Sequence, residues 1–345
     1  MSALTAYIVA AVGCGIFGWV VPVLAMRALV PALEASSLSS VNYRGRTVVT
    51  GLGLVWAVWS VSLLIGSTLF DLVASLSQGD PAGYGTALFE GPLTMPLYGV
   101  PLMLVMVSVT LGMADDVFGT HADKGFRGHV RALLGGRLTT GGLKMLGIGS
   151  ISAVYGWHVA VSRVSPSEDP FFAIGWAVLG TLVIALSANF LNLVDLRPGR
   201  ALKVYSGLAL VAAPLFALDA ASRFAEYAGA LEHLGSAAWG PLDSGITVVV
   251  MLVVMLGPVW AVWRFDLGER GMLGDAGSNA MGAVIGYLLA SSLSLPWLTG
   301  LAAMLLGLNA LSERISFSSV IEKNGVLRWI DGLGRLGGEE VTRGR

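Results

Sequence analysis

The sequence predicts an all-α, polytopic membrane protein of about nine transmembrane helices, its N-terminus outside and an amphipathic C-terminal helix inside. Three observations carry this. Mean hydropathy is +0.75, with 55% hydrophobic and 12% charged residues, a composition outside the soluble globular range. Nine apolar stretches approach or reach the roughly 17–25 residues that cross a bilayer as helix. And 19 of the 21 Lys and Arg residues fall in alternate connecting segments, the pattern that assigns those segments to the cytoplasmic side.

The first stretch, Leu4–Met26, has no basic run ahead of it and no small-residue cleavage site before Arg27, so it reads as an anchor rather than a signal peptide. It carries Cys14, the only cysteine, which excludes an intrachain disulfide or a thiolate metal site. Val48–Phe70, Leu93–Met113, Gly142–Val161, Phe171–Leu193, Leu202–Ala221 and Gly245–Trp263 follow. Ser278–Leu293 is short, and Leu295–Leu311 completes the set. Gly282 and Gly286, four residues apart, suit close helix packing.

The basic segments are 27–47, 114–144, 194–203, 264–277 and 312–345; only Arg163 and Arg223 lie on the other side. A formal net charge of −1 conceals this asymmetry. The chain divides into a polytopic domain, 1–311, and a cytoplasmic tail, 312–345. In the tail Phe317, Val320, Ile321, Leu327, Ile330 and Leu333 fall near helical spacing, with Lys323, Arg328 and Arg335 among them. That pattern suits a helix lying on the inner membrane surface, broken at Asn324-Gly325.

Acids are expensive at the edge of an apolar span, and three motifs place them there on the same side. Asp115-Asp116 ends the third stretch, followed by His121, Asp123, Lys124, Arg127, His129 and Arg131. Adjacent carboxylates attract a hard cation, and Mg²⁺ commonly takes one or two carboxylates plus substrate phosphate oxygens. The cations that follow, Lys124 among them, suit phosphate or anionic lipid. Read blandly, the same residues are a solvated helix end.

Asn189, Asn192 and Asp195, at i, i+3 and i+6, project from roughly one helical face at the end of the fifth stretch. Arg197, Arg200 and Lys203 follow around Pro198-Gly199 and suit a phosphate clamp, although their charge also satisfies the positive-inside pattern. Gly274-Asp275-Ala276-Gly277-Ser278-Asn279 opens the eighth stretch. Its small residues allow close backbone approach, and a helix start favours either an acidic cap or a bound anion. Three such motifs converging from one side predict a metal-dependent, phosphate-handling centre.

With these residues in hand, the chain resembles the polyprenyl-phosphate N-acetylaminosugar-1-phosphate transferases. The family's acidic pair falls on Asp115-Asp116, its Asn-x-x-Asp on Asn192 to Asp195, and its Gly-Asp-x-Gly-Ser on Gly274 to Ser278. Asn42-Tyr43-Arg44-Gly45, with Gly51 and Gly53, is similar to the family's first inner loop, and Lys144 stands where the family keeps a basic residue.

The resemblance implies a reaction: the phosphate of a membrane polyprenol attacks the β-phosphorus of a UDP-sugar, giving a polyprenyl-diphosphate sugar and UMP. It implies Mg²⁺, with Mn²⁺ as the alternative cation, held by Asp275 and Asp116. Asp115 or Asp116 would position or deprotonate the lipid phosphate. Direct attack and an aspartyl-phosphate intermediate both stay open at this point. Cations are needed because three phosphoryl groups must share one site. The expected surroundings are a bacterial cytoplasmic membrane with the site facing the cytoplasm. The expected partners are a polyprenyl phosphate, a nucleotide sugar and the lipid bilayer, with a homodimer left open and no nucleic acid.

The chain departs from the family pattern in several places. Asp195-Leu-Arg197-Pro-Gly199-Arg200 replaces Asp-Gly-Leu-Asp-Gly, Met272 stands where an aromatic is usual, the His-rich loop near the C-terminus is absent, and a tenth span is missing. Two other classes compete with an enzyme. A non-catalytic relative that binds polyprenyl phosphate or scaffolds an envelope complex has little use for costly boundary acids. A transporter would carry ionisable groups near mid-span, where only His158, close to the end of its stretch, comes near.

Overall fold

In the computed structural model the described residues are 9, 11–36, 38–78, 101–119, 125–165, 167–230 and 241–335. The molecule is a membrane-embedded helical bundle, and among the described residues six helices are long and apolar enough to cross a bilayer. The first is α1, Ala11–Ala35, with a π-helical turn at Ile16–Val20 and Pro22 and Pro31 along it. A short ribbon follows, β1 (Ser39–Val41) and β2 (Thr47–Thr50). Then come α2 (Leu54–Gln78), α3 (Leu102–Phe118) and α4 (Gly125–Leu134). Next are α5 (Thr140–Arg163), α6 (Pro170–Val194), α7 (Arg200–Ala230) and α8 (Pro241–Leu267). A two-residue β3 (Gly271–Met272) leads into α9 (Gly274–Ser292) and α10 (Leu295–Ser312). The tail forms α11 (Phe317–Lys323) and α12 (Gly325–Gly332).

Local chemistry sets several of these ends. Thr139 caps α5 by accepting from the Gly142 amide. Asp169 caps α6 ahead of Pro170, whose fixed φ and missing N–H suit a first helical position. Asn324 ends α11 and caps α12 through the Val326 and Leu327 amides, which accounts for the break expected at Asn324-Gly325.

Three expected boundaries move. The second stretch becomes helical only at Leu54, because Thr47–Thr50 is a strand. The third runs on to Phe118, so Asp115-Asp116 belong to its last helical turn rather than to the loop beyond. The eighth starts at Gly274, taking Asp275 into its first turn. The strands were not expected at all: β1 and β2 pair antiparallel, and β2 pairs with β3 in parallel. That sheet ties the 39–50 segment to the residues entering α9.

Helix α9 is the axis of the bundle, with every residue from Ala276 to Ser291 buried. Its small residues let neighbours reach its backbone. A Cβ on Gly282 would collide with the Ser187 carbonyl of α6, and one on Gly286 would lie 2.8 Å from the Ile184 Cα, so both glycines serve packing.

The bundle has two chemically different ends. Lys144 and Arg163 stand 19 residues apart on α5, about 28 Å at roughly 1.5 Å per residue. At the Arg163 end, Arg163 and Arg223 both pair with Asp219, at 2.8 and 2.6 Å. The other end collects the acidic motifs.

Candidate functional site

Four helix ends build this site: the last turns of α3, α6 and α8 and the first turn of α9, with α5 alongside. The start of α9 leaves backbone N–H groups without helical partners. Asp116 takes them, its carboxylate accepting from the Asp275 amide at 3.0 Å and the Ala276 amide at 3.2 Å. The helix cap thus comes from another helix, and Asp275 is freed from the capping role its position suggested. Gly274 makes the approach possible. It adopts φ +71°, and a Cβ there would lie 2.5 Å from the Asp116 Oδ2, so conformation and space both require glycine.

Asp115 faces α5. Its carboxylate accepts from the Thr140 hydroxyl at 2.6 Å and from the Lys144 ammonium at 2.7 Å. The same ammonium also contacts the Asp275 carboxylate. Lys144, 9% exposed, therefore bridges the first acidic motif and the third. The α3–α9 contact is close enough for this because Gly112 offers no side chain where a Cβ would meet the Asp275 carbonyl.

The second motif arrives on α6. Asn192 accepts from the Ser278 hydroxyl at 3.2 Å, and Ser278 also donates to the Gly274 carbonyl. Asn279 donates to the Asp275 carbonyl at 2.6 Å, holding the first turn of α9. Asp195 ends α6 at the mouth of the site. Its withdrawal from water, then the nearby Asp266, Asp275 and Asp116 charges, push its carboxyl well above the ordinary range, with Arg200 opposing. Asp195 lines a shallow pocket shared with Asn42, Tyr43, Arg197, Asp266 and Met272.

Two expected residues are engaged elsewhere. Asn189 donates to Asn309 of α10 at 2.6 Å, so it joins a helix–helix contact rather than the site; 6 residues of helix turn it about 120° from Asp195. Arg200, expected as part of a phosphate clamp, is buried and committed to the tail. Its guanidinium grips both carboxylate oxygens of Asp331, at 2.9 and 3.0 Å, and donates to Ser318 at 2.8 Å. Lys203 donates to the Ile330 and Asp331 carbonyls. Arg197 pairs with Glu322, yet its guanidinium also lies 4.8 Å over the Tyr43 ring and borders the pocket. Lys124 lies outside the described residues, as do His121 and Asp123.

Asn42 and Arg44 sit in the β1–β2 turn. The Asn42 carboxamide oxygen accepts from the Arg44 and Arg46 amides, and its NH₂ donates to Glu269 at 3.3 Å. Arg44 pairs with Glu269 at 3.1 Å. Glu269 and Asp266 escaped the sequence reading. Glu269 holds φ +51°, a conformation costing an L-residue about 1–2 kcal/mol, while accepting from Asn42, Tyr43 and Arg44. Asp266, 4% exposed, accepts the Gly199 amide at 2.6 Å and so fastens the turn after α6 to α8. Its signal was an acid in the last turn of an apolar helix, the same cue that singled out Asp115-Asp116.

Among the described residues no three His, Cys, Asp or Glu side chains are gathered as a ready-made metal cage. Carboxylate oxygens from Asp116 and Asp275 lie at one helix start and are the donor type that a hard cation takes while completing its shell from substrate, although the Lys144 ammonium now occupies the space between Asp115 and Asp275. Compared with known proteins, the sequence matches no family model and no characterised protein.

Proposed function

We propose that this protein is a Mg²⁺-dependent phosphoglycosyl transferase. It moves a sugar-1-phosphate, of the N-acetylhexosamine class, from a UDP-linked donor to polyprenyl phosphate. The lipid phosphate oxygen bonds to the β-phosphorus while the bond from that phosphorus to the UMP oxygen breaks, and UMP leaves. The reaction opens the synthesis of a cell-envelope glycan at the cytoplasmic face of a bacterial inner membrane. In this reading the nine-span count adds α2, α3 and α9 to the six candidate spans already named, and the basic segments face the cytoplasm.

One observation carries the proposal. Asp115, Asp116, Asp195, Asp266 and Asp275, drawn from four helices, lie at one end of the bundle, with Lys144 bridging Asp115 and Asp275. Asp275 and Asp116 would hold Mg²⁺, which would neutralise phosphate charge as it develops. Lys144 orients Asp115 and Asp275 and supplies a fixed positive charge for phosphate. Asp115, held by Thr140 and Lys144, would help position the lipid phosphate beside that ammonium. Ser278 and Asn279 keep the first turn of α9 in place, and Asn42, Tyr43 and Arg197 line the adjoining pocket on the side where a nucleotide would extend.

A second reading, a non-catalytic polyprenyl-phosphate-binding or scaffold relative, is favoured by the ion pairs of Lys144, which satisfy two acids without a metal. Incubating the purified protein with polyprenyl phosphate, Mg²⁺ and a panel of nucleotide sugars separates the two. Release of nucleoside monophosphate, dependent on both substrates and lost in chelator, supports the transferase. No release from any donor, with lipid still bound, favours the scaffold.

A further inference from the structure

Away from the acidic site, a groove opens between α1 and α8, bordered by Val23, Arg27, Trp260, Trp263, Arg264 and Phe265. Its volume is about 210 Å³, below the roughly 300–1,000 Å³ typical of enclosed small-ligand sites, and suits a headgroup whose chains stay outside it. Both helices are apolar enough to span the bilayer, and Trp260, 61% exposed, faces outward from the bundle. The groove therefore opens to lipid. Arg264 lies two residues before Asp266, which sets the groove at the same end of the bundle as the acidic site.

Its chemistry is that of the headgroup layer. Two arginines line it, both exposed, and neither pairs with a carboxylate among the described residues. The nearby Glu34 is spent on Arg270, at 2.8 Å. Arg264 rests over the Phe265 ring, 4.8 Å from its centre, and both residues line the groove. Trp260 is also stacked near Trp19, 6.0 Å between centroids. Tryptophan at the membrane–water boundary beside unpaired arginine is suited to a ligand that is anionic at one end and apolar at the other. A guanidinium pair favours phosphate oxygens in particular.

We propose that this groove binds the phosphate of an anionic phospholipid, with Arg27 and Arg264 holding the phosphodiester and Val23 and Trp260 flanking its glycerol and upper chain. The site needs nothing from the catalytic reading and would persist if that reading failed.

The test is native mass spectrometry of the full-length protein released from detergent micelles doped with phosphatidylglycerol or, separately, phosphatidylcholine. The wild type should retain phosphatidylglycerol at least fivefold more than phosphatidylcholine. An R27Q/R264Q double variant should lose that preference, while thermal unfolding stays unchanged because both side chains are exposed. V23W, which fills the groove and keeps both charges, should lose it too. An unaltered preference in the double variant overturns the proposal, as does loss in the double variant with full retention in V23W, which would reduce the effect to net charge. Displacement of the lipid by millimolar inorganic phosphate also overturns it, since the occupant would then be free phosphate.

Discussion

Replacing Lys144 by glutamine is the sharpest perturbation of the acidic end, because one ammonium holds two carboxylates. Its Nζ lies 2.7 Å from the Asp115 Oδ2 and also contacts the Asp275 Oδ2. Two oxygens sharing one nitrogen at such distances are at most about 5.4 Å apart, and at an effective dielectric near 20 their repulsion is about 3 kcal/mol. Breaking a buried ion pair by deleting one partner typically costs about 3–5 kcal/mol. The carboxylates retain 19% and 26% exposure, so water softens the loss, and the lower figure is the one to expect. K144Q should therefore be destabilised by about 3 kcal/mol at neutral pH without divalent cations. Thermal and denaturant unfolding followed by intrinsic fluorescence would measure it. The double variant K144Q/D115N should recover more than half of the loss, since one of the two opposed charges is gone. An unaltered K144Q, or a double variant no better than the single, would refute the bridging role.

Further outcomes follow from the same structure. D275N should abolish nucleoside monophosphate release and leave the fold intact by size exclusion, whereas full activity in excess chelator would dismiss the metal. With Cys14 changed to serine, cysteines introduced near Gln78 should react with an impermeant reagent added outside and those near Gly338 should not; the opposite pattern overturns the orientation. G282L should cost about 1–3 kcal/mol or more, the range of overpacking against a fixed neighbour, and wild-type stability would contradict the contact with Ser187. Asp331 is pushed up by burial, but the hydrogen bond and charge of Arg200, with Arg335 and Lys203, prevail and hold it below the ordinary carboxylate range. A depressed carboxylate stabilises docking above its ordinary pKa and loses that contribution as pH falls through the lowered one. The tail should thus resist proteolysis into mildly acid solution, and release at the ordinary carboxylate pKa would argue against the Arg200–Asp331 pairing.

Helical periodicity and cost explain what could be read from the chain alone. Most of the described length of the apolar stretches is helical, the main exception being the strand that opens the second, because runs of that length satisfy their backbone internally as helix. The boundary acids stood out because nothing in an apolar run offsets them, and Asp115, Asp116, Asn192, Asp195 and Asp275 do meet. What stayed hidden was long-range. The strands are two to four residues long, too short for an alternation to register. Arg200 finds Asp331, 131 positions away, and local pattern cannot separate a phosphate clamp from a tail dock. Asn189 shows the limit of spacing arguments: a row at i, i+3, i+6 drifts around the helix, and its first member already faces α10.

Charge balance ties the geometry to the proposed chemistry. Five carboxylates gather at one end of the bundle, and the ammonium of Lys144 is the cation that directly contacts any of Asp115, Asp116 and Asp275 in the described ion pairs. Asp116 is offset by two backbone amides, whose dipoles are worth a fraction of a charge. Asp195 is driven toward its protonated form. The Asp115, Asp116 and Asp275 group is therefore short of positive charge, and a fold serving structure alone would gain stability by replacing some of these acids with apolar residues. Retaining them makes physical sense if the deficit is met by something that arrives with the substrate. A divalent cation carried in on a diphosphate would supply it: Asp116 and Asp275 would hold the metal, its charge would offset the phosphates beside the acids, and Lys144 would screen what remained.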